Sequence, residues 1–270
     1  MLKKELQEDL NDILKNSPII YKYVSADVAL IILKSLKLKL SNPQNFNDPF
    51  DCYSELISFK NIPDSYLKNL KDKYYSNDPK LIDKINKFER VNSKSKMEKI
   101  FKNISLPTIL SKIAVTCFSR NYVEPLMWSH YSNSHSGVCI GFNLLKLYDS
   151  LDENDKGLFK VNYCKKFIAK DFFIDKSDSI IHFLRTKSEK WEYEKEVRLV
   201  FTNLNLNEDK EAFVNFSNQG IEEIIFGANF LTENNSELMK VIGEDYTHTD
   251  NFMMRLKKDS FEIERDVLKI

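Results

Sequence analysis

The chain has 270 residues, 42% of them apolar, and its 40 basic and 40 acidic side chains give a formal net charge of zero. That length and apolar content suit one domain, residues 1–270, with a single sizeable core. The charge balance excludes an overall pull toward nucleic acid or an anionic membrane and leaves only a local basic patch to consider, in the lysine-rich middle.

The first 16 residues predict an amphipathic helix, with Leu2, Leu6, Leu10 and Leu14 four apart. Ile19 to Val24, rich in β-branched and aromatic residues, predicts a strand. Ser25 then caps a helix that carries Asp27 in its first turn and the apolar run Val28 to Leu33. Leu36 to Leu40 alternates with period two, a half-buried strand. The loop SNPQNFNDPFD follows, with Pro43 and Pro49 fixing φ and Phe46 and Phe50 placed to pin it to the core. Its Ser41, Asn47 and Asp48 can either present hydrogen-bond groups to a ligand or simply make a good turn.

Between residues 60 and 105 lysines dominate and apolar residues recur at helical spacing. Helices are predicted over 65–76, 79–90 and 95–104, as a helical insertion at about 60–110. Asp72, Asp83 and Glu89 among the lysines favour a solvated face over a nucleic-acid patch. Strand character returns at Ile113 to Phe118. A helix is predicted over Pro125 to Tyr131, a strand over Gly137 to Phe142, and helices over Leu144 to Leu151 and 178–188. Strands follow at 195–202, 212–215 and 221–226, then a hairpin at 252–256 and 260–264. The class is α+β with a mixed sheet and no regular βαβ repeat.

The cysteines Cys52, Cys117, Cys139 and Cys164 are irregularly spaced, against a disulfide framework or a zinc ribbon. Met1 to Glu5 lacks secretory character, and no apolar run reaches the ~18–20 residues of a membrane span. A cytoplasmic location without membrane partners is expected. There is no GxGxxG, P-loop, GxSxG or HExxH, which removes the enzymes built on them.

Two stretches concentrate chemistry. MWSHYSNSHSGVCIGF, residues 127–142, holds Trp128, two histidines, Cys139 and two glycines. Cys139 and Gly141 share one face of the predicted strand, and a strand glycine marks close approach by a backbone or a ligand. The stretch is either a packed aromatic corner or the lining of a site. Zinc on His130, His135 and Cys139 lacks a fourth ligand, so no metal is expected. The second stretch is KSEKWEYEKEVRLVF, residues 187–201. Read as a strand from Trp191, it stacks Glu192, Glu194, Glu196 and Arg198 on one face, about 6.8 Å apart. Either one carboxylate has a raised pKa there, or the face is a solvated edge whose acids meet Lys190 and Lys195.

With YKYVSADVALIILKSLKLKLSNPQNFNDPFD, CFSRN and IEEIIFG, these stretches resemble the bacterial family called domain of unknown function 2971, over about residues 20–228. That family is similar in element order to the ADP-ribosyltransferase superfamily, and some relatives occur in phage defence. The resemblance implies an ADP-ribosyltransferase-like core, NAD as substrate, a toxin or defence role and a macromolecular acceptor. Glu196 or Glu194 would be the catalytic acid, Arg198 its orienting partner, and Tyr131 and His130 the central segment. Tyr21, Lys22, Tyr23, Ser41, Asn47, Asp48 and Trp128 would hold NAD, with Trp128 or Tyr131 stacking on the nicotinamide. The superfamily's first-strand His or Arg is replaced by Tyr21-Lys22-Tyr23, so either Lys22 substitutes or the ligand differs. Two alternatives stand beside this: a non-catalytic module sensing a nucleotide or phage component, and a Mg²⁺-dependent nuclease using Asp48, Asp51 and Glu196. A homo-oligomer is left open.

Overall fold

The structure, a computed structural model, describes residues 2–74, 78–90, 94–151 and 155–270. The last two positions of the helix predicted over 65–76 therefore lie outside the described residues. Helix α1 (Leu2–Asn16) leads into β1 (Ile19–Val24). The Ser25 side chain caps α2 (Ala26–Ser35) by accepting from Val28 N, and β2 (Lys37–Ser41) alternates exposed lysines with buried Leu38 and Leu40. A short β3 (Ile57–Ser58) precedes the insertion helices α3 (Asp64–Tyr74), α4 (Pro79–Arg90) and α5 (Lys94–Leu110). Helix α5 runs beyond its predicted end at 104 and through Pro107. Leu106 and Leu110 are buried, and at about 1.5–3 kcal/mol each that burial offsets the ~3 kcal/mol cost of an interior proline.

The second half contains β4 (Ala114–Ser119), α6 (Pro125–Tyr131), β5 (Val138–Asn143) and α7 (Leu144–Ser150). Next come β6 (Lys156–Lys160), β7 (Asn162–Cys164), β8 (Lys170–Asp171) and α8 (Lys176–Arg185). Strands β9 (Thr186–Ser188), β10 (Glu196–Phe201), β11 (Glu211–Asn215) and β12 (Ile221–Phe226) follow, then α9 (Ser236–Asp245), β13 (Asp250–Leu256) and β14 (Ile263–Val267). The helix predicted over 178–188 thus ends at Arg185, and its last three residues pair with β7 as a strand.

Among the described residues, ten strands form one open, mostly antiparallel sheet in the order β11-β2-β4-β1-β5-β12-β13-β14, with β10 joining β4 to β6. The architecture is α+β. Strand β4 is where the sheet divides. One edge pairs with β10 along its whole length, from Ala114 with Phe201 to Ser119 with Glu196. The other edge meets β1 at Tyr21–Ser119 and β2 at Ser41–Val115, and between those points no ladder pairing is formed among the described residues. Lys22 enters this gap: its ammonium donates to Thr116 Oγ1 at 2.9 Å and to the Cys117 carbonyl at 3.2 Å.

The main core, including Ile20, Ile140, Phe142, Ile224 and Phe226, is covered by α2 and α9. A second cluster ties the insertion to the sheet through Phe59, Ile85, Phe101 and Phe183. Lys68, Lys80 and Lys87 are exposed, as the solvated-face reading has it. A smaller cluster joins Tyr21 and Tyr23 to Met127, Trp128 and Cys139.

The corner after α6 is built from unusual backbone. Asn133, Ser134 and His135 all take left-handed φ values (48°, 54° and 67°), a region that few non-glycine residues occupy. The turn is held by its docking: His135 N donates to Trp128 O, Asn229 N to His135 O, and Gly227 N to Gly137 O. At Gly137 a Cβ would lie 2.2 Å from Val24 O, and at Gly227 2.0 Å from His135 O. The glycines are there because two stretches of backbone touch.

Candidate functional site

The site starts from a local irregularity in the acidic stretch. Residues Glu189–Glu194 form a 3₁₀ helix, not the strand predicted from Trp191, and Lys195 closes it in the left-handed region (φ 46°). Ser188 caps it, accepting from Lys190 N, and the strand begins only at Glu196. The predicted face of four charged residues is corrected accordingly. Glu192 is exposed, whereas Glu194, Glu196 and Arg198 turn inward and are 3%, 4% and 0% exposed. Their counter-ions are not Lys190 and Lys195.

Instead they form an ion network with Lys187 and Asp51. The Lys187 ammonium lies 2.5 Å from Glu194 Oε2, 2.9 Å from Glu196 Oε2 and 3.4 Å from Asp51 Oδ2. Arg198 donates through Nε to Glu196 Oε1 at 2.7 Å, through Nη2 to both Asp51 oxygens at 2.8 and 2.6 Å, and through Nη1 to Leu184 O. Tyr131 Oη donates to Glu194 Oε1 at 2.7 Å, and Glu196 N donates to the Tyr163 phenol at 2.8 Å.

The two glutamates titrate in opposite directions. Burial raises the Glu194 pKa, and the neighbouring Glu196 charge adds to it against the pull of Lys187. Burial would raise Glu196 as well, but Arg198 and Lys187 together hold it well below the usual carboxylate range. Two carboxylates pushed apart by their surroundings are a common preparation for acid–base work. Burial also lowers the Lys22 pKa and raises that of Tyr131.

These groups line a partly open cavity of about 200 Å³ at the division of the sheet, between Tyr21, Lys22 and Tyr23 of β1, Cys117 to Ser119 of β4, Tyr131, Lys187, Glu194 and Glu196. Phe46, Asn47, Asp51 and Met127 complete the wall. The volume is below the usual ~300–1,000 Å³ of a small-molecule pocket, so there is room for only one end of a drug-sized molecule. The three remote segments named from sequence (the tyrosine strand, the helix with Tyr131 and the acidic ribbon) therefore share one cavity.

Other predicted site residues stand elsewhere. Trp128 is fully buried behind the wall, its indole donating to Tyr122 O at 2.7 Å and meeting Tyr23 edge-on, so it has no face free for a nicotinamide. His130 is exposed, beside the rings of Trp191 and Tyr193. Ser41 is used in pairing β2 with β4 and β11. Asp48 does not line the cavity; its carboxylate accepts from Trp191 Nε1 at 2.6 Å. Phe50, expected to pin the loop, is exposed, and Phe46 does that work in the second core cluster. Around Gly141 a Cβ would meet Glu223 Cβ at 2.9 Å and Tyr21 Cε1 at 3.2 Å, so neighbouring side chains crowd it.

The carboxylate oxygens of Asp51 and Glu196 are taken up by hydrogen bonds from Arg198 and Lys187, which weakens the Mg²⁺ reading. Among the described residues no group of three or more His, Cys, Asp or Glu side chains is arranged to hold a metal ion. No helix among them is long and apolar enough to cross a membrane.

Residues 127–199 match the family model described as protein of unknown function (DUF2971). The match runs from Met127 of α6 to Leu199 of β10, and so contains Tyr131, Lys187, Glu194, Glu196 and Arg198 but not the β1 wall. No curated protein and no solved structure matches the chain.

Lys187 is the member of the ion network that the sequence left unassigned. It opens the quoted acidic motif, but assignment to the end of a helix gave it no inward direction.

Proposed function

We propose that the cavity cleaves the nicotinamide–ribose bond of NAD and transfers the ADP-ribosyl group to an acceptor. The observation that carries this reading is that buried Glu194 and Glu196 line one cavity with Tyr21, Tyr23 and Tyr131. As the bond breaks, nicotinamide leaves with the electron pair and positive charge develops at the ribose anomeric carbon and ring oxygen. Glu196, kept ionised by Arg198 and Lys187, supplies a fixed negative charge toward that cation. Glu194 accepts the proton of the attacking acceptor group, a role suited to a carboxylate whose pKa lies nearer neutrality. Tyr131 orients Glu194, and the tyrosines of β1 offer a surface for the nicotinamide ring.

The test is nicotinamide release from labelled NAD, with protein and nucleic-acid acceptors present. Wild type should release nicotinamide, and Glu196→Gln and Glu194→Gln should each reduce the rate by about a hundredfold or more. Release no greater than in the Glu196→Gln control overturns the reading.

One observation favours a second reading, a non-catalytic nucleotide sensor. Glu196 already accepts hydrogen bonds from Lys187 and Arg198, which reduces the charge it can turn toward a developing cation while leaving the cavity open. A sensor predicts a thermal shift with NAD or another nucleotide and no nicotinamide release.

A further inference from the structure

Lys187 is also a wall of a second cavity. This one, of about 280 Å³, is bounded by Phe50, Phe167, Lys165, Cys164, Thr186 and Ser188. Phe50 is 63% exposed and Phe167 42% exposed. Both rings stand edge-on to Tyr53, with centroids 5.7 and 6.2 Å away, so Tyr53 supports both without covering them. The segment from Lys165 to Lys170 is exposed at every position and reads Lys-Lys-Phe-Ile-Ala-Lys. Single exposed apolar residues are ordinary. Two aromatic rings that share one supporting ring on a concave slot, with adjacent lysines beside it, are a different arrangement.

The slot offers three chemistries together. The phenyl rings provide apolar contact for a flat ring, Lys165 in the lining and exposed Lys166 next to it in the chain provide cations for a phosphate, and Ser188 provides a hydroxyl. Ser188 Oγ accepts from Lys190 N at 3.4 Å, which leaves its own proton to donate. A planar heterocycle carrying a phosphate meets all three. Base–aromatic stacking combined with backbone-tracking cations is the general way proteins hold single strands, and in a duplex the base faces are hidden in the stack. The whole chain is electrically neutral, so the attraction must be local, and Glu189, whose charge acts on Cys164 in the slot wall, opposes it.

We propose that this second cavity receives an unpaired nucleobase of a single-stranded nucleic acid, stacked on Phe167 and Phe50, with the adjoining phosphate on Lys165 and Lys166. The proposal goes beyond the NAD reading and stands without it. Should both hold, Lys187 is the partition between the nucleotide-cleaving cavity and the strand-binding slot.

The experiment is fluorescence anisotropy of fluorescein-labelled oligothymidylate and oligouridylate of about 12 nucleotides, a length within the usual single-strand site size. No NAD is present, so failure of nicotinamide release does not affect the result. Wild type should bind, more weakly as salt rises. Phe167→Ala should weaken binding roughly tenfold, and Phe167→Tyr should restore it. The Lys165→Glu/Lys166→Glu double variant should bind more weakly with a shallower salt slope, and Glu189→Gln should bind more tightly. All these side chains are exposed, and an unchanged melting temperature confirms that each variant folds. A duplex of equal length should fail to compete. Competition by thymidine 5′-monophosphate at equal nucleotide concentration also supports the slot and makes a free nucleotide its ligand. No anisotropy change at low salt, or wild-type affinity in Phe167→Ala, overturns the proposal. Phe167-dependent sedimentation with phosphatidylserine vesicles in the absence of oligonucleotide binding overturns it too, since exposed Ile168 would then mark a membrane-facing loop.

Discussion

Glu194 and Glu196 share one counter-ion, the Lys187 ammonium, at 2.5 and 2.9 Å. With Asp51 and Arg198 they form a buried network of three acids and two cations, so removing Lys187 deepens an existing excess of negative charge in a poorly solvating place. Arg198 neutralises only part of the excess, as it is committed to Asp51 as well.

Removing one member of a buried pair typically costs ~3–5 kcal/mol. Lys187→Met should therefore lower the unfolding free energy at pH 7 by about that amount, measured by urea denaturation. Lys187→Arg keeps the charge and should recover part of the loss. A cost under ~1 kcal/mol for Lys187→Met would mean that water reaches the three acids, as in an exposed pair.

The raised Glu194 pKa carries a pH prediction. If Glu194 acts as a base, the ionised form is the active one, and nicotinamide release should rise with pH through its native pKa, above the ordinary 4.5. The Tyr131 phenol hydrogen-bonds the carboxylate and lowers that pKa. Tyr131→Phe should shift the acid limb of the kcat profile to higher pH while costing about 1 kcal/mol of stability. Glu196 titrates far below this range, so it leaves the limb unmoved. An acid limb that stays in place in Tyr131→Phe would show that Glu194 does not set it.

How far the sequence could be read follows from what each feature depends on. Pro125 at a helix start marked Pro125–Tyr131, because proline acts on its own backbone, and apolar residues at helical spacing marked Pro79–Arg90. The run Ile221–Phe226 was legible as a strand for a similar reason: β-branched residues ending at a glycine. Glu194, Glu196 and Tyr131 were also within reach, since their grouping needed only element order. The inward turn of Lys187 was not. Among 40 basic residues nothing local distinguishes it, and its direction depends on the β7–β9 pairing. The 3₁₀ helix at Glu189–Glu194 escaped because period-two spacing of Trp191 and Tyr193 imitates a strand. Helix α9 was not foreseen at all, although Leu238, Val241 and Ile242 have helical spacing. Trp128 was drawn to the site by its rarity, whereas its place is set by Tyr23 and the Tyr122 carbonyl.

Trp128 gives a prediction that separates fold from site. Trp128→Phe removes the indole hydrogen bond to Tyr122 O and part of the packing on Tyr23, a loss of about 2–3 kcal/mol. Because Trp128 does not line the cavity, KM for NAD should stay within about twofold of wild type once both proteins are folded. Steady-state nicotinamide release below the melting transition checks this. A large rise in KM at unchanged melting temperature would restore Trp128 as a ligand-stacking residue.

The corner glycines test how rigidly α6, and with it Tyr131, is held. A methyl group at Gly227 would sit 2.0 Å from the His135 carbonyl oxygen, and one at Gly141 would sit 2.9 Å from Glu223 Cβ. Side chains can shift by a few tenths of an ångström, but the His135 carbonyl is fixed by its bond from Asn229 N. Gly141→Ala should accordingly cost ~1–3 kcal/mol, the usual range for overpacking, and Gly227→Ala should cost more. Gly227→Ala should also separate the corner from β12 and loosen Tyr131 from Glu194. Urea denaturation ranks the two variants, and amide exchange at Asn229 and Gly227 reports the opening of the corner. Equal costs with unchanged exchange would mean that the left-handed run Asn133–His135 holds the corner without the glycine contact.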